Sequence, residues 1–191
     1  METLDSILLR RSIRKYTQEP ISDEAIHTIL QSALSAPSGL NLQPWYFVVL
    51  KSPEKRKELF RIMEKVSDDI SSELESRFEG HPEIIDETKK FIRTLGDAPA
   101  ILLAFLLRDD YADPKTATLS VAAAVENALL AARDLGIGSC WLSAADQTGF
   151  GPVIRDHFAP GKGDLIAIVT LGYPEAWPKA VIRRENRTLL L

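Results

Sequence analysis

The sequence predicts an α+β domain in which helices cover a central sheet. Strand-like apolar runs at 46–50, 100–107 and 164–171, with a fourth entered at 138–142, alternate with amphipathic stretches at helical spacing. About four strands and five or more helices, without internal repeat, fit the 191 residues of a single domain spanning 1–191. The stretch 118–135 is apolar nearly all round and rich in small side chains, so it needs a central position.

Taken in order, 4–9 reads as a short helix with Thr3 as N-cap and Asp5 in its first turn. It delivers the cluster Arg10-Arg11-Ser12-Ile13-Arg14-Lys15-Tyr16, and 17–21, which contains Pro20, continues extended. Ser22-Asp23-Glu24 opens a second helix with Ile26, Ile29, Leu30, Ala33 and Leu34 on one face, stopping before Pro37. The loop 36–45 carries Ser38, Asn41 and Gln43 between Pro37 and Pro44 and leads into the strand 46–50. Ser52-Pro53-Glu54 starts a third helix whose buried face is Leu59, Ile62, Met63 and Val66. The highly charged, least periodic stretch 67–90 reads as a helical excursion or lid, overlapping an amphipathic segment at 84–95. The strand 100–107 follows, and then Asp109, Asp110 and Asp113 in a solvated loop, because the glycine and terminal glutamate of a calcium loop are missing. The apolar helix 118–135 lies in the core or against a symmetry mate and stops at Gly136. A short helix at 150–157, the buried strand 164–171 and a basic tail complete the chain.

The composition narrows the function classes. A chain with 45% hydrophobic residues, 26% charged residues and a net charge of −4 is an ordinary globular sequence, and its field repels nucleic-acid backbones and anionic membranes. Small ligands and protein partners remain. No apolar run reaches bilayer length, and Met1-Glu2-Thr3-Leu4-Asp5 does not read as a signal peptide. The single cysteine, Cys140, excludes an intrachain disulfide and thiolate-rich metal sites, so a cytoplasmic location is expected.

Against that acidic background, four cations and a hydroxyl within 10–16 point to a small anion. Taken alone, the same charges equally fit a helix end facing water. The polar loop 36–45 offers uncharged donors suited to a heterocycle, or is simply a turn with Trp45 stacked on the core. Gly136-Ile137-Gly138 is not a dinucleotide fingerprint, because it follows a helix and enters a strand. His27, His81 and His157 are scattered, no Gly-x-Ser-x-Gly is present, and Cys140 reads as a buried inert thiol. No catalytic constellation remains, which suits a phosphate-bearing cofactor whose own ring performs the reaction.

Four blocks together resemble the FMN-dependent nitroreductase family of NAD(P)H nitroreductases and flavin reductases. They are Arg10 to Tyr16, the loop Ala36-Pro37-Ser38 with Asn41, Gln43, Pro44 and Trp45, the segment Gly136-Ile137-Gly138-Ser139-Cys140-Trp141, and Leu171-Gly172-Tyr173-Pro174. The resemblance implies a mixed, largely antiparallel sheet and an intertwined homodimer with FMN at the interface. It places Arg10 and Ser12 on the phosphate, with Arg11 acting through its backbone. Arg14 falls near the pyrimidine end of the ring, where a positive charge stabilises reduced flavin. Pro37, Ser38, Leu40, Asn41 and Gln43 reach the cofactor from the other chain. Leu142 and Ser143 stand where many relatives have a glycine-bearing loop, and Arg183 and Arg184, or Arg187, close the phosphate site from a tail, 175–191, that reaches the partner subunit.

The implied activity is ping-pong transfer from NADH or NADPH to a small flat acceptor such as a nitroaromatic or quinone. Two other classes fit the same residues: a non-catalytic FMN storage or sensor protein, and a plain anion-binding module.

Overall fold

The computed structural model describes residues 2–191, and its four strands form one sheet in the order β1-β2-β4-β3. β1 is Trp45–Leu50, β2 is Ala100–Leu106, β3 is Gly138–Leu142 and β4 is Leu165–Gly172. Every neighbouring pair of strands is antiparallel. Among the described residues, parallel pairing occurs only at an isolated bridge between Ser12 and Ser139.

Helices cover both faces of the sheet. In β2, Ala100, Leu102, Ala104 and Leu106 face a core shared with α2 (Asp23–Leu34) and α6 (Pro114–Asp134). The alternate residues Ile101, Leu103 and Phe105 face a second core with α3 (Pro53–Asp69), α5 (Pro82–Thr94) and α8 (Gly151–Phe158). Burial on both sides explains why this strand reads as an unbroken apolar run without polar alternation. Each such Leu, Ile or Phe contributes about 1.5–3 kcal/mol of burial.

The helix starts follow capping chemistry. Ser22 Oγ accepts from the Ala25 N–H at 3.1 Å, and Ser52 Oγ accepts from the Lys55 N–H at 3.2 Å with Pro53 in the first turn. Two expected starts move. α1 is Thr3–Leu9, so Thr3 lies inside the helix; the cap position is Glu2, whose carbonyl takes the Ser6 N–H at 3.1 Å. α6 starts at Pro114 rather than 118, because Asp113 Oδ1 accepts the Thr116 N–H at 3.1 Å. One member of the acidic loop is therefore a helix cap. Among the described residues no group of three or more His, Cys, Asp or Glu side chains could hold a metal.

The excursion after α3 is helical. α3 runs on to Asp69, α4 is Ser71–Arg77, and α5 follows after Gly80 and His81. The stretch is aperiodic in sequence because the helix is interrupted at Ile70 and again over residues 78–81, and each interruption resets the helical phase. Ser67 Oγ donates to the Lys89 carbonyl at 3.2 Å and ties α3 to α5.

α6 buries Ala117, Val121, Ala124, Val125, Ala128 and Ala132, while Leu119 stays exposed. It stops at Gly136, whose φ is +74°. Beyond Pro174 the chain has no helix or extended strand and is exposed through Leu191. No helix of the described residues is long and apolar enough to cross a membrane.

Candidate functional site

The basic cluster is extended and docks beside edge strand β3. Arg10 leaves α1 with φ −60° and ψ 136°. The Ile13 N–H then donates to the Ser139 carbonyl at 2.9 Å, and the Thr17 N–H to the Tyr173 carbonyl at 2.9 Å. Ile13 and Tyr16 are buried in the protein, while Ser12, Arg14 and Lys15 stay exposed.

Two glycines make that docking possible. Gly138 and Gly172 are register partners in β3 and β4. A Cβ on Gly138 would lie 2.7 Å from Ile13 Cγ1, and one on Gly172 would lie 2.8 Å from Tyr16 Cδ1 and 2.6 Å from Pro99 Cδ. The two glycine-bearing sequence blocks therefore make room for the cluster.

Tyr16 locks the segment from below. Its hydroxyl donates to the Ile13 carbonyl at 2.6 Å and lies 2.6 Å from Thr170 Oγ1, which itself donates to the Cys140 carbonyl at 3.4 Å. Burial holds the phenol far above its ordinary range, so it stays neutral. Burial also pushes the Cys140 thiol up, in keeping with an unreactive core cysteine.

The turn Leu95–Asp97 presses on the same segment from the side. Leu95, Gly96 and Asp97 have φ of 51°, 67° and 51°, and a Cβ on Gly96 would lie 2.6 Å from the Arg14 carbonyl oxygen. Bonds from Arg56 Nη1 to the Ala98 carbonyl and from Gln18 Nε2 to the Asp97 carbonyl, at 2.9 and 3.4 Å, hold the turn.

The candidate side chains go different ways. Arg10 Nε lies 3.3 Å from Glu126 Oε1 on α6. Arg11 folds back, its Nη1 donating to the Leu8 and Arg10 carbonyls at 2.8 and 2.6 Å, and its Nε is a buried donor without a partner. Arg14 places its guanidinium 5.7 Å from the centroid of the Phe91 ring. It opens onto a cleft of about 600 Å³ between the segment, α4, α5 and the turn 95–97. Phe78, Phe91, Arg77, Lys90 and Gly96 border this cleft and were not singled out from sequence. Gly96, between two residues with left-handed backbone, offered a signal only after the turn was known.

The loop before β1 lies by the opposite edge strand. Pro37 is exposed, Ser38 Oγ accepts from the Gln43 N–H at 3.0 Å, and Gln43 Nε2 donates to Asn41 Oδ1 at 3.0 Å. Leu40, Asn41 and Gln43 all have positive φ, at 51°, 54° and 46°, and Leu40 is 95% exposed. Among the described residues, no hydrogen bond or ion pair joins this loop to the basic segment. Leu142 is buried at the end of β3, and Ser143 is exposed before α7 (Ala144–Gln147). Arg183, Arg184 and Arg187 lie on the exposed tail without an ion pair to another described residue, while Trp177 stacks 3.6 Å from the Arg133 guanidinium. His27, His81 and His157 are all exposed.

Known proteins share this fold. A model of the nitroreductase family matches residues 7–173. A candidate NADH dehydrogenase/NAD(P)H nitroreductase of Archaeoglobus fulgidus is 33% identical over 182 residues, covering 91% of this chain and 86% of that protein. YfhC of Bacillus subtilis, a candidate NAD(P)H nitroreductase, is 30% identical over 194 residues, covering 96% of this chain and 90% of its own. Among solved structures, a candidate nitroreductase from Desulfovibrio desulfuricans in complex with FMN has a TM-score of 0.74 at 28% identity, covering 100% of this chain and 96% of that one. A BluB-like flavoprotein from Clostridium difficile has the same TM-score and identity over 100% of both chains. With the family match running from α1 through the end of β4, the chain belongs to the nitroreductase family.

Proposed function

We propose that this chain is an FMN-dependent oxidoreductase that takes electrons from NADH or NADPH and works as a homodimer. One observation carries the reading: Arg10, Ser12 and Arg14 follow one another along a rigidly docked extended segment, and the last opens onto an aromatic-walled cleft. A phosphate calls for charge-assisted donors, and a flavin ring held beside Arg14 calls for an adjoining apolar cleft in which a second flat molecule can lie. The orphaned Nε of Arg11 adds a donor seeking an acceptor. The donor set therefore fits FMN.

Arg10 and Ser12 would hold the phosphate, with Arg11 contributing mainly through its backbone, since its Nη1 is committed to the Leu8 and Arg10 carbonyls and only its Nε is left without a partner. Arg14 keeps a positive charge at the ring end. Bound there, FMN supplies a ring that accepts hydride from the nicotinamide and passes the electrons, in ping-pong fashion, to a flat acceptor such as a nitroaromatic or quinone. For a quinone the sum is NADH, a proton and quinone giving NAD+ and hydroquinone.

Pro37, Ser38, Leu40, Asn41 and Gln43, lying by the far edge strand, would complete the pocket of a second copy, with Leu142 and Ser143 beside the ring. The same partner would bring Arg183 and Arg184, or Arg187, to the phosphate. Exposed Leu4, Leu8, Leu40 and Ile182, each at least 66% accessible, support a covering subunit.

The visible spectrum of purified or FMN-reconstituted protein tests the cofactor, and anaerobic NADH or NADPH titration tests turnover. Prompt bleaching is expected. A flavin that binds but stays oxidised would make this a storage or sensor protein instead. A monomer that takes up no FMN in excess ends the reading.

A further inference from the structure

The cleft beside Arg14 has a mixed character that hydride transfer alone does not require. Its floor is aromatic, with Phe91 buried beneath the Arg14 guanidinium and Phe78 half-buried beside it. Its rim is cationic within an acidic chain, where Lys15, Arg77 and Lys90 join Arg14 against the carboxylates of Glu87 and Asp97. Lys15 and Lys90 form no ion pair with another described residue, and Arg77 pairs only with Glu73 one turn back on its own exposed face, at 3.2 Å. The three cations come from separate elements, the basic segment, α4 and α5, yet all border one space of about 600 Å³. A substituted single ring fits that volume. An anionic substituent on the ring would give the rim the counter-charge that Glu87 and Asp97 supply only in part.

We propose that the cleft selects ligands that join a flat ring to an anionic group, the ring lying against Phe78 and Phe91 and the anion meeting Lys15, Arg77 and Lys90. This deepens, and rests on, the reading of the site as a place of electron transfer. Two sources supply that chemistry: a carboxylate on the electron acceptor, or the diphosphate of the nicotinamide donor.

The test compares FMN-reconstituted wild type with the double variant Arg77→Glu/Lys90→Glu. In the acceptor arm, 4-nitrobenzoate and 4-nitrobenzamide are reduced with the uncharged donor N-benzyl-1,4-dihydronicotinamide. In the donor arm, NADH and NADPH are set against that same uncharged donor with an uncharged quinone. The double variant is expected to lower kcat/KM for the anionic ligand of at least one arm about tenfold more than for its uncharged counterpart. Moderate salt should shrink that difference. Charge reversal at exposed Lys65, outside the cleft, should leave the ratios unchanged. The arm that responds names the source. Equilibrium dialysis of 4-nitrobenzoate and of NADH, with and without flavin, gives a readout independent of turnover, and dissociation constants should rise about tenfold for the responding ligand. Equal effects on charged and uncharged ligands in both arms, with unmoved dissociation constants, overturn the proposal. Failure to take up or reduce FMN would instead sink the oxidoreductase reading, and dialysis would still judge the cleft.

Discussion

Two short segments of this protein adopt the same uncommon backbone for opposite ends. Leu40, Asn41 and Gln43 before β1, and Leu95 and Asp97 before β2, are non-glycine residues at φ between 46° and 54°. Each such residue costs of order 1–3 kcal/mol unless its surroundings impose it. The first segment is exposed, tied chiefly by its own Ser38 and Gln43 bonds, and turns polar side chains outward. The second is anchored in the core through fully buried Leu95, and its backbone surface braces Arg14. Strain in one place turns side chains outward to solvent. In the other it holds a neighbouring segment still.

If that contrast is right, damage to the brace should disturb folding and flavin together, whereas damage to the presenting loop should disturb flavin alone. Gly96→Ala, which forces a Cβ to 2.6 Å from the Arg14 carbonyl at a positive φ, should cost about 2–4 kcal/mol in urea unfolding. By displacing Arg14 it should also lower the midpoint potential of bound flavin by about 20–30 mV, or roughly 1–1.4 kcal/mol for two electrons. An unchanged potential would refute the brace. Arg10→Ala should weaken FMN binding by about 1.5–3 kcal/mol, read by fluorescence titration, with a smaller effect on unfolding. Unaltered flavin content would remove Arg10 from the phosphate site.

Smaller changes sharpen the same contrast. Tyr16→Phe removes the hydroxyl that ties the Ile13 carbonyl to Thr170 and should cost about 1–1.5 kcal/mol of stability, with FMN weakened more than riboflavin. Asn41→Ala should weaken FMN by about 0.5–1.5 kcal/mol and leave the melting temperature within error; a melting shift as large as that of Tyr16→Phe would erase the distinction. The smallest effect concerns α6, where the bonds from Thr116 hold the Asp113 carboxyl below the usual range. A folded value below the unfolded one means the cap stabilises above the ordinary carboxylate range and is lost as pH falls through the folded value. The acid melting curve of Asp113→Asn should therefore be flatter than that of wild type.

Much of this was legible in the residues. The four strands, the capped starts of α2 and α3 and the central α6 follow from apolar spacing and from Ser22, Ser52 and Pro53. The basic segment and the Pro37–Gln43 loop stood out by composition. The cleft did not, because Phe91 and Lys90 are ordinary helix residues, and Phe78 an ordinary helix end, until α4 and α5 fold back beside Arg14. Gly138 and Gly172 looked like a weak motif, and their use is visible only once Ile13 and Tyr16 lie across them.

By itself the sequence determined what is local: the period of each element, the capping residues and a cationic segment in an acidic chain, because propensity and charge act over a few residues. Tertiary structure alone decided which side chains share a space. Docking the basic segment beside β3 depends on the absence of two Cβ atoms in strands more than 120 residues away from it in the chain, and contacts of that kind leave no periodic trace.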